Sequence, residues 1–169
     1  YKNFIELEFL LKYVLNDNKL GLIIKSQFLR YTPSRIYKNK NLIHNLLATG
    51  RYIELEKGES GIGRNDILPI EAALNADLII NQKYGATAGL EAAIASKRVI
   101  LINRNGFKSS HDQIYEKANI CFNNMKDVLS EIENLRKGLN HKLGDWTEII
   151  DYFSEYKDFN SSVRVNDKI

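Results

Sequence analysis

Apolar residues fall along the chain in short blocks, and their spacing alternates between helix-like and strand-like. Phe4 to Leu15 (FIELEFLLKYVL) is apolar-rich over a helical length and stops at the turn residues Asn16-Asp17-Asn18. Leu20 to Lys25 reads as a first strand, Thr32-Pro33-Ser34 as a turn, Asn41 to Ala48 as a helix closed by Gly50, and Tyr52 to Leu55 as a second strand. Asp66 to Asn75 predicts a helix with Pro69 in its first turn. The densest signal is the stretch from 77 to 103, DLIINQKYGATAGLEAAIASKRVILIN. There the apolar run Asp77 to Asn81 leads through the small-residue turn Gly85 to Gly89 into a helix, Leu90 to Ser96, and a buried strand, Val99 to Ile102. Strand, turn, helix, strand is a βαβ unit, and such crossovers are nearly always right-handed within a parallel sheet. A polar loop from Asn103 to Gln113 follows, then a helix to Lys117 capped by Ser110 or Asp112, and a last strand, Asn119 to Phe122. Met125 to Lys137 is an amphipathic helix. The expected fold is α/β: a Rossmann-like three-layer domain with about five parallel strands and helices on both faces. It would span 1–169 as one domain, with 1–18 as a connecting helix and 144–169 as a helical tail.

The chemistry this pattern exposes lies at the carboxyl ends of the strands, where open parallel sheets bind ligands. At the central turn, Gly85, Ala86, Ala88 and Gly89 leave the backbone open to close approach, and Thr87 is a candidate N-cap. A helix N-terminus offers free N–H groups and a favourable dipole to an anion such as phosphate. Glu91 stands four residues after Thr87, one turn on, which is not the capping-box offset. A carboxylate there could accept hydrogen bonds from ribose hydroxyls. The competing reading is that small residues merely let the helix pack on the sheet, with Glu91 an ordinary acid near a helix start. Lys25 and Arg30 follow the first strand, and Arg104 and His111 follow the strand after the central helix, so all four join the same rim. Arg104 could pair with phosphate. His111 could donate to phosphate or to a sugar and is the candidate catalytic group.

Composition narrows the picture. With 169 residues the chain suits one domain with a real core. Its net charge of +3, with acids and bases interspersed, gives no nucleic-acid footprint. Cys121 is the sole cysteine, so no disulfide framework is expected and burial is its expected fate. His44, His111 and His141 lack metal-ligand spacing, and no metal is expected. No apolar run reaches membrane-spanning length and no signal peptide is visible, so the expectation is a cytoplasmic protein, with peripheral membrane association left open. The chain begins at Tyr1, which suggests a piece of something longer.

Two stretches carry a resemblance. Ala76-Asp77-Leu78-Ile79-Ile80, then Thr87-Ala88-Gly89-Leu90-Glu91-Ala92, then Lys97 and Val99-Ile100, resembles the C-terminal half of GT-B-fold glycosyltransferases. Those families often show Ala-Asp, an apolar strand, Ser/Thr-Ala/Gly, Glu-Ala and Gly-Lys-Pro; here Ser96 and Arg98 replace Gly and Pro. Leu143-Gly144-Asp145-Trp146-Thr147, then Tyr156-Lys157-Asp158 and Arg164, resembles the tail of bacterial surface-carbohydrate biosynthesis proteins, with Asn160 in place of a usual Gly. Together the similarity covers roughly residue 20 to the end, and Trp146 is expected to dock the tail on the domain.

The resemblance implies a donor-side domain of a glycosyltransferase-like protein in surface polysaccharide (capsule or lipopolysaccharide) biosynthesis. It implies a nucleotide-sugar as substrate, with no separate cofactor, a carbohydrate acceptor, and an N-terminal domain that this chain does not contain. Glu91 would contact ribose, Thr87 and neighbouring amides the diphosphate, and Gly61, Ile62 and Gly63 the donor base. Several polymer-forming transferases place a Lys-Pro-His-Pro-like sequence after the first strand, and of it only Lys25 carries over. This domain alone would bind rather than turn over. Two other readings stand beside it: a nucleotide-sugar epimerase of the same fold, and a non-catalytic α/β interaction module.

Overall fold

A computed structural model describes residues 2–25, 33–36, 40–55, 67–84 and 86–153. In chain order these form α1 (Lys2–Asn16), β1 (Leu22–Lys25), α2 (Pro33–Ile36), α3 (Lys40–Ala48), β2 (Tyr52–Leu55) and α4 (Pro69–Leu74). There follow β3 (Leu78–Gln82), α5 (Thr87–Ile94), β4 (Arg98–Ile102), α6 (Asp112–Lys117), β5 (Cys121–Phe122), α7 (Met125–Arg136) and α8 (Ile150–Phe153). The α/β class and the parallel pairing agree with the sequence pattern.

The centre of the fold is β4, and its sequence says why. Val99, Ile100, Leu101 and Ile102 are each no more than 1% exposed, the signature of a strand buried on both faces. Alternation divides them. Val99 and Leu101 join Ala92 and Ala93 of α5, Tyr115 of α6, and Ile120, Trp146 and Ile150 in one core. Ile100 and Ile102 join Met125 and Val128 of α7, with Leu143, in another. Successive side chains of a strand point to opposite faces, so this one tetrapeptide supports a helical layer on each side. β4 lies between β3 and β5, parallel to both, with Leu78 opposite Arg98 and Ile102 opposite Phe122.

The expectation of about five strands in one sheet needs correction. Among the described residues five strands form and all pair in parallel, but β1 and β2 make a separate two-stranded sheet beside the three-stranded β3-β4-β5 sheet. The four-residue β1 and β2 are supported by α1 and α3: Leu11 and Val14 of α1, Leu42, Ile43 and Leu46 of α3, and Tyr52 of β2 form a further cluster, which Leu10 joins to the core around Ile100 and Ile102. Arg51 ties this half together, its guanidinium donating to the carbonyls of Val14, Asp17 and Leu20 at 2.9, 2.6 and 2.6 Å. Those carbonyls lie at or just beyond the end of α1, where helical partners run out.

Smaller differences concern helix starts. The predicted turn at Thr32-Pro33-Ser34 gives way at Pro33, which opens α2, as proline's fixed φ favours at a first helical position. α4 begins at Pro69 rather than Asp66, with the Glu71 carboxylate accepting from Leu68 N at 2.6 Å. The N-cap of α6 is His111, not Ser110 or Asp112. Asp112 instead reaches back to accept from Ser109 N at 3.2 Å and Ser109 Oγ at 2.6 Å.

Candidate functional site

The site is built where β3 and β4 deliver the chain to their carboxyl ends. β3 ends at Gln82, and α5 begins five residues later at Thr87. Thr87 is the first helical residue rather than the cap. Ala86 holds the cap position, and no side chain caps the helix. The first helical hydrogen bond runs from Leu90 N to Ala86 O at 2.9 Å, so the N–H groups of Thr87 and Ala88 precede the ladder. Thr87 is exposed, and so is Glu91 one turn later. An uncapped N-terminus with small residues and an exposed carboxylate behind it can take an anionic group bearing a neighbouring hydroxyl.

Gly89 does something else. It is buried, and a Cβ there would stand 2.7 Å from Asn81 Nδ2 and 3.3 Å from Val99 Cγ1. Its hydrogen is the space into which β3 and β4 pack, so the packing reading of the small residues holds at this position. Asn81 Oδ1 accepts from Gln82 N at 2.9 Å, while its Nδ2 is buried without a hydrogen bond.

A group that pattern reading missed sits between Asn81 and the helix. Lys83 is the one buried charged residue among those described, with its side chain 4% exposed. Its ammonium pairs with Asp112 at 2.5 Å and donates to Phe107 O at 2.7 Å. Asn103 Nδ2 donates to the same carbonyl at 3.0 Å. The Lys83 hydrogen bond and those from Ser109 hold the Asp112 carboxyl down at about 2. The loop after β3 is thereby pinned to the loop after β4. Twenty-nine positions separate Lys83 from Asp112, and no local spacing announces such a pair.

His111 faces inward. Its ring is half-buried against Tyr115, Tyr152 and Phe153, with centroids 6.1, 5.5 and 5.2 Å away, and Nδ1 is buried without a hydrogen bond. The backbone carbonyl of His111 accepts from Ile114 N and Tyr115 N, both at 3.0 Å. Packing into the aromatic cluster therefore accounts for the ring. Arg104 is half-buried just after β4, and Lys25, also half-buried, ends β1 beside Leu55 of β2. Arg30, Gly61, Ile62, Gly63 and Gly85 lie outside the described residues. Lys83, Ala86, Thr87 and Ala88 thus follow the carboxyl end of β3, Glu91 lies one turn into α5, and Arg104 follows the carboxyl end of the neighbouring β4. Lys25 stands at the end of the other sheet.

The opposite end of β4 is closed by the tail. Val99 N donates to Gly144 O and Trp146 Nε1 donates to Val99 O, both at 2.8 Å. The Arg98 guanidinium donates to the carbonyls of His141 and Leu143 at 2.8 and 2.7 Å. Trp146 docks the tail, as its sequence context suggests. A cavity of about 270 Å³ at this end is lined by Ile94, Lys97, Arg98, Asp145, Trp146 and Ile150 among others. Its charged groups are engaged: Asp145 accepts from Thr147 N and Oγ1, and Lys97 donates to Ala76 O. Cys121 is half-buried and free, and burial pushes its thiol up.

Among the described residues no group of three His, Cys, Asp or Glu side chains is placed to hold a metal, and no helix is long and apolar enough to cross a membrane. Comparison with protein-family models, with curated proteins and with solved structures finds no match to this chain.

Proposed function

We propose that this chain is the nucleotide-sugar-binding, donor-side domain of a glycosyltransferase-like protein acting in bacterial surface polysaccharide biosynthesis. The observation that carries the reading is the start of α5: an uncapped helix N-terminus at the carboxyl end of β3, with an exposed Glu91 one turn on. The resemblance of the 77–103 and 143–164 stretches suggests the family, and the uncapped start of α5 is compatible with an anion there. In this reading the amides of Thr87 and Ala88 hold the diphosphate, whose charge grows as the sugar leaves and is stabilised by fixed N–H dipoles. Glu91 accepts from ribose hydroxyls, and Arg104 adds positive charge beside the phosphates. Gly89 serves the packing that fixes the helix, and His111 serves the aromatic cluster.

An NMR titration with UDP, CMP, GDP and ADP tests this, run on the full chain and on Glu91→Ala. One nucleotide should shift the amides of Thr87 to Glu91 selectively. Loss of a charged hydrogen-bond acceptor should weaken it about tenfold in the variant. Silence from all four nucleotides at millimolar concentration would sink the reading.

A further inference from the structure

The rim carries two aromatic side chains that no core accounts for. Tyr84 is 75% exposed and Phe107 42% exposed. Their rings meet at 77° with centroids 5.3 Å apart, so they form the two walls of an open corner. Buried aromatics of this size normally contribute heavily to a core, and here Tyr84 stands largely in solvent with the partly covered Phe107 beside it, at the carboxyl ends of adjacent strands.

The Phe107 backbone is held by two side-chain donors. Lys83, next to Tyr84, is buried and donates to Phe107 O, pairs with Asp112 and lies 5.9 Å from the centroid of the Phe107 ring. Asn103 donates to the same carbonyl. A surface ordered before the ligand arrives loses less freedom on binding, so its contacts convert more fully into affinity.

The position sets the occupant. Tyr84 precedes Thr87 by three residues, so their Cα atoms are at most about 11 Å apart. A nucleotide whose diphosphate sits at the start of α5 can therefore extend its base, one ribose beyond the phosphates, as far as this corner. A flat ring can lie against one wall while the other bounds its edge, and stacking on an aromatic face tolerates any base. We propose that Tyr84, braced by Phe107, is the stacking surface for the nucleobase of the bound nucleotide. The assignment rests on the donor-site reading above and moves the base away from the Gly61-Ile62-Gly63 loop, where the family resemblance puts it.

The test is calorimetric titration of the full chain and of Tyr84→Ala and Tyr84→Trp, with UDP, CMP, GDP, ADP and inorganic pyrophosphate as probes. Tyr84→Ala should weaken the preferred nucleotide about tenfold and leave pyrophosphate unchanged, while Tyr84→Trp keeps the wild-type affinity. Both variants should unfold at the wild-type midpoint, because the side chain is exposed. Equal affinity of Tyr84→Ala and wild type for the nucleotide would overturn the stacking assignment and leave the donor site standing. Equal weakening of nucleotide and pyrophosphate would also overturn it, since Tyr84 would then act on the phosphate side. A wild-type chain that binds pyrophosphate or nothing, but no nucleotide, would overturn the donor reading and the stacking surface together.

Discussion

The two ends of β4 are built from one strand and one helix, yet they are finished in opposite ways. At the amino end every contact described closes the structure: Gly144 and Trp146 bond to the backbone of Val99, and Arg98 bonds to His141 and Leu143. At the carboxyl end the helix starts without a side-chain cap, the Tyr84 ring stands in solvent against a partly covered Phe107, and Asn81 Nδ2 and His111 Nδ1 are buried without hydrogen bonds. Buried polar atoms without partners cost free energy, so those two positions are less well satisfied than the bonded amino end. The amino end is covered by the tail apart from the cavity beside Trp146, and the carboxyl end lacks such a cover among the described residues.

The largest effect should come from unsealing the closed end. Trp146 is buried and bonded, so Trp146→Ala removes both packing and an anchor for the tail. A loss of about 3–5 kcal/mol is expected by urea unfolding. A loss under about 1 kcal/mol would show that the tail is not what seals this end.

A smaller effect should come from Gly89, where the two ends meet through packing. In an open helical position Gly→Ala would gain up to about 1 kcal/mol from propensity. Here the added Cβ meets Asn81 and Val99, and a net loss of about 1–2 kcal/mol is expected. Removing the Asn81 amide with Asn81→Ala should relieve part of it, giving a measurable coupling in a double-mutant cycle. A stabilised Gly89→Ala would mean that β3 and α5 do not approach as described.

The smallest effect is a pH dependence at the open end. Asp112 titrates near 2 in the folded protein, below its unfolded value of about 3.9. Its contribution is therefore complete above pH ~4 and is lost as pH falls toward ~2, through protonation of the carboxylate that holds Lys83. Thermal unfolding between pH 4 and pH 2 should fall more steeply for the wild type than for Asp112→Asn. Parallel slopes would separate Lys83 from Asp112 and leave the aromatic corner without its brace.

Much of this was legible in the residues themselves. The run VILI announced a doubly buried strand, and GATAGLEAA announced a turn into a helix on small residues. Trp146 within Gly-Asp-Trp-Thr pointed to a docked tail. What pattern reading gained at Thr87 it lost by one position, because Thr can occupy either the cap or the first helical turn and only the backbone chooses. Gly89 looked like part of an opening and proved to be a contact, since a glycine states only that a Cβ is unwelcome, not what lies there. Lys83, Tyr84 and Phe107 passed unnoticed, because each is ordinary within its own segment.

The amino-acid order by itself determined most of the helical and strand segments, that both faces of β4 are apolar, and that a helix follows the turn after β3, though not its first residue. Those features depend on periodicities of two and 3.6 residues, and local spacing records them directly. Tertiary structure alone decided that five strands divide into a pair and a triplet, that Lys83 is buried on Asp112, and that the tail covers the amino end of β4. Each depends on contacts between segments far apart in the chain, and a buried strand or a lone charge carries no mark of the partner it will meet.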